Sequence, residues 1–367
     1  MLRNIGLDLL RLVAVVLVIA RHGDVGVLEG WGLSFLHTGG WVGVDLFFVI
    51  SGFLVSSLLF KEYRKRGRVD IRRFLIRRGF KIYPAFYLFL AVMMLFYMFS
   101  NEKMGRSRIL VDIFFVQNYF FGLIPHAWSL AVEEHFYLAL SVLIALLIAK
   151  VPKNPLAWIP PIVFAVAIGC LLLRILTYCV HPEYTNRSCQ FPTHLRIDSL
   201  FFGVLISYGW VFWDLEKRIR TTSSAALLLV GAAALSPAFI FDIEDHRSIS
   251  IVGFTLFYLG SGLFVLAAMR LQKSSSRTLG VLASLGAASY STYLWHMAVM
   301  SIVDELFGGS AEAVYNGLRL PAWVVGACVF GWVMNRAIEI PMLKIRNRLF
   351  PAEEGTSLFA SSTSQSG

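Results

Sequence analysis

Arg11 and His22 stand eleven residues apart in an apolar run. That is close to three turns of α-helix, so the two side chains share a face about 16 Å apart along the axis. Asp8 lies one turn before Arg11, at pairing distance on the same face. Histidine titrates near neutrality and suits removal of a proton from a hydroxyl. A structural Asp–Arg pair with an interfacial histidine would account for the same three residues without catalysis. Asp45, alone in GVDLFFVISGFL, needs a cation or donor, and His22 or Arg11 is the economical partner; Gly43, Ser51 and Gly52 let a neighbouring helix come close.

Further acids and bases come in short constellations. Arg78 and Lys81 are three apart, on one helical face, with Arg77 beside them, and phosphate on a polyanionic ligand is what such a face holds. Most of the basic run Arg72–Lys81 also reads as an ordinary cytoplasmic anchor. Trp128-Ser129-Leu-Ala-Val-Glu133-Glu134-His135-Phe136-Tyr137 reads as a helix start, with Ser129 as its cap and more acid than capping needs. Arg196 and Asp198 are two apart, cannot face each other, and each needs its own partner. His296 follows Trp295 in SYSTYLWH, a position that an interfacial histidine also fills.

These charges must be positioned by helices in lipid. The 367 residues are 57% hydrophobic and 15% charged, with mean hydropathy +0.67, against about 25% charged in soluble domains. This excludes a disordered chain, a coiled coil and nearly any soluble enzyme. Apolar runs long enough to cross a bilayer recur along the chain. We place ten spans at about 5–21, 41–60, 82–99, 131–149, 157–179, 195–213, 224–241, 249–269, 281–303 and 319–340, by the ~20-residue rule. Ile109–Ile124 is shorter and wetter, and reads as re-entrant or interfacial. Asp8 and Arg11 interrupt the first apolar run, so it does not read as a cleaved leader. With a cytoplasmic N-terminus, 22 of the 33 Lys and Arg fall in cytoplasmic segments, 7 outside and 4 within spans. The expected fold is therefore all-α, a polytopic membrane bundle of about ten helices with both termini cytoplasmic. The +10 charge is then a topology signal, and no nucleic-acid partner is expected. No zinc or haem spacing occurs and no metal is expected; Cys179 and Cys189 flank an outward loop where an oxidising compartment permits a disulfide.

LDLLR with His22, GVDLFFVISGFL, the R-x-x-K-I-x-P segment, WSLAVEEHFY, LRIDSLFFG and SYSTYLWH, in this order over roughly residues 5–345, resemble the membrane acyltransferase family 3. The resemblance implies an integral membrane O-acyltransferase, read here as residues 1–345 followed by a disordered cytoplasmic tail, 346–367. It implies transfer of an acyl group, most simply acetyl, from cytoplasmic acyl-CoA to a sugar hydroxyl of a surface polysaccharide, a lipid-linked glycan or a related acceptor, in a bacterial inner membrane and alongside polysaccharide-biosynthesis proteins. Arg11 and His22 match the family's first-span pair, Arg78 and Lys81 its acyl-CoA-associated basic pair, and Glu133 the acid of E-x-x-F-Y. Lys81 stands where Arg is usual, which keeps charge and loses bidentate geometry. Combining both readings, His22 is the expected base, oriented by Asp45 or Glu133, and Arg11 holds the carboxylates or stabilises the oxyanion. Arg77, Arg78 and Lys81 are expected to bind acetyl-CoA, and Glu134, Arg196, Asp198 and His296 the acceptor. A secondary transporter or flippase would use the same buried charges as a proton or substrate path, but leaves Arg78 and Lys81 unexplained. A membrane glycosyltransferase needs an acidic external loop, and 100–130 offers only Glu102 and Asp112.

Overall fold

The computed structural model describes residues 4–99, 105–181, 183–271, 276–307 and 312–351. Arg3, Glu102, Lys103, Lys273 and the expected tail beyond Pro351 lie outside the described residues. Twelve principal helices follow one another: α1 (Ile5–His22), α2 (Val42–Arg66), α3 (Ile71–Phe99), α4 (Trp128–Lys150), α5 (Ile159–Val180), α6 (Thr193–Phe212), α7 (Ser224–Ile240), α8 (Phe254–Arg270), α9 (Arg277–Ala287), α10 (Ser289–Phe307), α11 (Glu312–Met334) and α12 (Ile340–Leu349). No strand occurs among the described residues. The chain is thus the expected all-α membrane bundle.

Among the described residues, seven helical segments are long and apolar enough to cross a membrane: α2, α3, α6, and the runs Pro125–Lys150, Pro155–Val180, Ile249–Arg270 and Gly317–Leu349. Helix also occupies the other three expected spans, for different reasons short of that standard. α1 carries Asp8, Arg11 and Arg21 within eighteen residues. α7 is a shorter apolar helix. The ninth expected span is divided at Ala288 into α9 and α10. Residues 346–349, expected in a disordered tail, continue α12. Ile109–Ile124 is not a span: a short helix, Arg106–Ile113, turns into a folded-back segment held by buried polar groups. Asp112 Oδ2 accepts from the Leu123 amide at 2.6 Å, and Gln117 Nε2 donates to the Ala127 carbonyl at 3.0 Å.

Close approach follows the small residues. A Cβ on Gly52 of α2 would fall on the Leu200 carbonyl of α6, and one on Gly203 of α6 on the Val49 carbonyl. Gly43 does the same for α2 against Ala14 of α1. These contacts let backbones pack where a larger side chain would hold them apart. Two buried ion pairs then join neighbouring helices. Arg196 Nη2 of α6 donates to Asp45 Oδ1 of α2 at 2.7 Å, and Ser199 Oγ donates to the same oxygen at 3.2 Å. Arg174 Nη2 of α5 donates to Asp198 at 2.5 and 2.6 Å, and its Nε to the Leu195 carbonyl at 2.8 Å. Asp45 therefore pairs with neither His22 nor Arg11. Arg196 and Asp198 each have their own partner, as the i, i+2 spacing requires. Cys179 is exposed, Cys189 is buried, and both are free thiols.

Candidate active site

His22 ends α1, where the last-turn carbonyls lack helical donors. Its Nδ1 lies 2.8 Å from the Val18 carbonyl oxygen. A carbonyl can only accept, so this contact assigns the proton to Nδ1 and leaves the lone pair on Nε2. His296 of α10 is fully buried, and its Nδ1 lies 2.6 Å from the Tyr293 carbonyl oxygen, so by the same reasoning its Nε2 is an acceptor. That Nε2 stands 3.3 Å from His22 Nδ1. His126 completes the group, with Nε2 3.1 Å from the Leu294 carbonyl oxygen and its ring 5.1 Å from that of His296.

The expected carboxylate behind His22 is absent from this arrangement: its ring is held by a backbone carbonyl and a second histidine. His296, expected on the acceptor, is buried and contacts His22. His126 was not singled out in the sequence; the signal available was a histidine two residues before Trp128 at the mouth of the WSLAVEEHFY helix. Ser129 does open α4, but no side chain caps that helix; its hydroxyl bonds the Tyr293 hydroxyl at 2.7 Å.

His22 is exposed and lines a cavity of about 150 Å³. Arg21, His126, Trp41, Trp128 and Gln190 also line it. Trp128 stacks on Phe191 at 4.6 Å, fixing one aromatic wall. Behind Arg21, His37 accepts its Nη1 at the backbone carbonyl, 3.0 Å away. Burial, and then the Arg21 cation, lower the His37 pKa below the usual imidazole value, so at neutral pH it adds no second charge.

A second cluster sits deeper along the bundle. Arg78 Nη2 donates to the Tyr137 hydroxyl at 2.7 Å, and that hydroxyl donates to Glu133 Oε2 at 2.6 Å. The one Tyr137 proton is then spent, so Ser51 Oγ, 2.8 Å away, is the donor to it. Ser51 is therefore a polar partner besides being small. Arg78 Nε is buried with no partner among the described residues. Lys81 makes no hydrogen bond or ion pair to a described residue; Arg11, Arg78, Glu133 and Glu339 are its charged neighbours. Arg11 pairs with Asp8 at 3.4 Å, as their spacing requires. An orphaned guanidinium nitrogen and an unpaired ammonium are what an anionic group, such as a phosphate, would satisfy. Arg77 is placed differently: it donates to the Phe350 carbonyl and, at 3.5 Å, to Asn347. Glu134 accepts from the Tyr83 hydroxyl at 3.0 Å, away from the His22 cavity lining.

One face of α10 connects the clusters. Tyr290, Tyr293 and His296 recur every third residue, spanning about 9 Å. Tyr290 has Glu133, Glu134 and Glu339 as charged neighbours, Tyr293 has Glu133 and lines the cavity, and His296 meets His22. Arg11 is therefore at the deep cluster, about 16 Å along α1 from His22, too far to touch an oxyanion formed there. Arg196 and Asp198 are fully buried in their ion pairs and do not line the cavity.

An acyltransferase-domain family model matches residues 4–335. A Staphylococcus aureus (strain COL) protein provisionally named an O-acetyltransferase is 31% identical over 363 residues, 92% of this chain and 57% of the relative. The O-acetyltransferase OatA of Staphylococcus aureus (strain NCTC 8325 / PS 47) is 30% identical over 362 residues, with the same coverage. The chain thus spans little more than half the length of these curated relatives. No solved structure matches.

Proposed function

The chain belongs to the membrane acyltransferase family 3, and from that premise we propose that it is an O-acetyltransferase moving an acetyl group from acetyl-CoA to a hydroxyl of a glycan acceptor. The observation that carries the reading is the pairing of His22, whose Nε2 lone pair is free and whose ring lines a cavity, with unsatisfied cations at the level of Arg11, about 16 Å along α1. The O-acetyltransferase names of the curated relatives support it.

In this reading the acceptor hydroxyl enters the His22 cavity. His22 Nε2 takes its proton as the oxygen attacks the thioester carbonyl. A C–O bond forms, the C–S bond breaks, and the thiolate leaves as coenzyme A, recovering the proton from His22. His296 and the Val18 carbonyl hold the proton on Nδ1, and both stabilise the imidazolium that forms. Arg78 and Lys81 hold phosphate of the donor, and Glu133 holds Arg78 through Tyr137. The thiol arm must span the roughly 16 Å between the Arg11 level and His22.

The Lys and Arg distribution supports ten crossings with both termini in the cytoplasm, the basic cluster inward and His22 outward. Donor and acceptor then come from opposite faces, as suits a bacterial inner-membrane enzyme that decorates surface or lipid-linked glycans together with their biosynthetic proteins. Purified protein in proteoliposomes, given acetyl-labelled acetyl-CoA and a glycan acceptor, should release coenzyme A and label the acceptor in equal amounts. Movement of acceptor across the bilayer without thioester cleavage would instead identify a transporter.

A further inference from the structure

Among the described residues, Arg21 is the one permanent cation lining the His22 cavity, and no Asp or Glu lines it. Elsewhere in the bundle, Arg174 and Arg196 each have a carboxylate at 2.5–2.7 Å. Arg21 has only the His37 carbonyl among the described residues, which leaves most of its five N–H donors for something else. Its neighbours have the same bias. The Tyr184 hydroxyl lies 2.9 Å from Asn186 Oδ1 and 3.1 Å from Gln190 Oε1, and its one proton is shared between these two oxygens. Their amide nitrogens carry donors and make no hydrogen bond to a described residue, while both residues line the cavity. Apart from the His22 and His126 rings, the Tyr293 hydroxyl and the two amide oxygens shared by Tyr184, the polar side chains of the lining offer donors, beside aromatic walls.

A neutral sugar would leave a partly desolvated guanidinium without a counter-charge, which is costly. A carboxylate or phosphate matches it in a bidentate fork. We propose that the acceptor presented to His22 carries an anionic group, and that Arg21, with the Asn186 and Gln190 amides, binds that group beside the hydroxyl to be acylated. This rests on the acyl-transfer reading for the hydroxyl, while the anion site itself follows from the lining. A space of about 150 Å³ is the size that holds one benzene ring, so the site takes a single charged ring or substituent of the acceptor at a time.

The test is ligand binding to the full-length protein, read from tryptophan fluorescence because Trp41 and Trp128 line the cavity. The probes are trigalacturonate and its neutral methyl ester, and mannose 6-phosphate and mannose. Each charged probe that fits should bind about tenfold or more tightly than its neutral partner, a preference that falls with salt. Arg21→Gln should abolish the preference, Arg21→Lys keep part of it, and Asn186→Ala weaken the charged probes several-fold. Selectivity for trigalacturonate alone identifies a uronate-type group and selectivity for mannose 6-phosphate alone a phosphate; both support the proposal. Equal affinity within both pairs overturns it, as does a preference that survives Arg21→Gln in protein that still binds acetyl-CoA. Acetyl transfer is scored separately: selective binding of anions with no acetylation of any acceptor counts against the acyl-transfer reading alone.

Discussion

His296 Nε2 lies 3.3 Å from His22 Nδ1, and both residues anchor their other hydrogen bond on a carbonyl of their own helix. The Val18 and His296 contacts set the His22 tautomer, leaving the lone pair that can take a proton on Nε2 of a ring that lines the cavity. His296 acts through His22 and is a positioning residue. His296→Ala should lower kcat by about 10- to 100-fold with little change in the KM for acetyl-CoA, and should move the acidic limb of the pH–rate profile, because the neighbour of the base is lost. His296→Gln retains an acceptor oxygen and should recover part of the rate. An Ala variant with the wild-type pH profile would show that the contact does not tune the base.

Arg78 and Lys81 both have unused hydrogen-bonding capacity in the deep cluster. Arg78→Gln and Lys81→Gln should each raise the KM for acetyl-CoA by about tenfold or more, as loss of a charge-assisted contact of roughly 1.5–3 kcal/mol implies. Tyr137→Phe should reproduce part of the Arg78 effect, since it removes the hydroxyl between Arg78 and Glu133. Arg77→Gln should act on the docking of the C-terminal helix and leave the KM for acetyl-CoA within about twofold. Initial-rate kinetics against acetyl-CoA separate these cases.

Asp45 and Arg196 form an ion pair, both fully buried, with the guanidinium 3.9 Å from the Phe254 ring centre and its Nε and Nη1 without a hydrogen-bond partner among the described residues. Removing one charge strands the other, so Asp45→Ala should destabilise the fold by about 3–5 kcal/mol. Replacing both, as Asp45→Leu with Arg196→Met, should restore much of the thermal stability in detergent. If Asp45→Ala melts like the wild type yet loses turnover, Asp45 has a chemical role that its ion pair conceals.

Cys179 is the one exposed thiol among the four cysteines, at the end of α5. On the proposed topology it faces outward. A membrane-impermeant maleimide should label it in intact cells, and Cys179→Ser should remove that signal. Labelling that appears only after permeabilisation would reverse the orientation.

Sequence spacing revealed what is local and missed what folding assembles. The Asp8–Arg11 pair was legible because three residues on a helix suffice to place it. The bundle was legible because lipid requires long apolar helices. The partner of Asp45 was not, since Arg196 is 151 residues away and any cation in a span satisfied the same requirement. The same limit hid His296 behind His22, 274 residues off. His126 was missed because its value comes from lying against His296, which nothing in its own loop encodes. Ser129 opens its helix where a cap would stand, yet its hydroxyl bonds the Tyr293 hydroxyl, 164 residues away, and caps nothing.

The most direct measurement is acetyl transfer by His22→Ala, purified and inserted as the wild type is, with labelled acetyl-CoA and acceptor in proteoliposomes. The expected result is a loss of coenzyme A release and of acceptor labelling by about 10²- to 10⁴-fold, the usual contribution of a positioned base, with acetyl-CoA still bound. Transfer at the wild-type rate by the His22→Ala protein would contradict the assignment of His22 as the base.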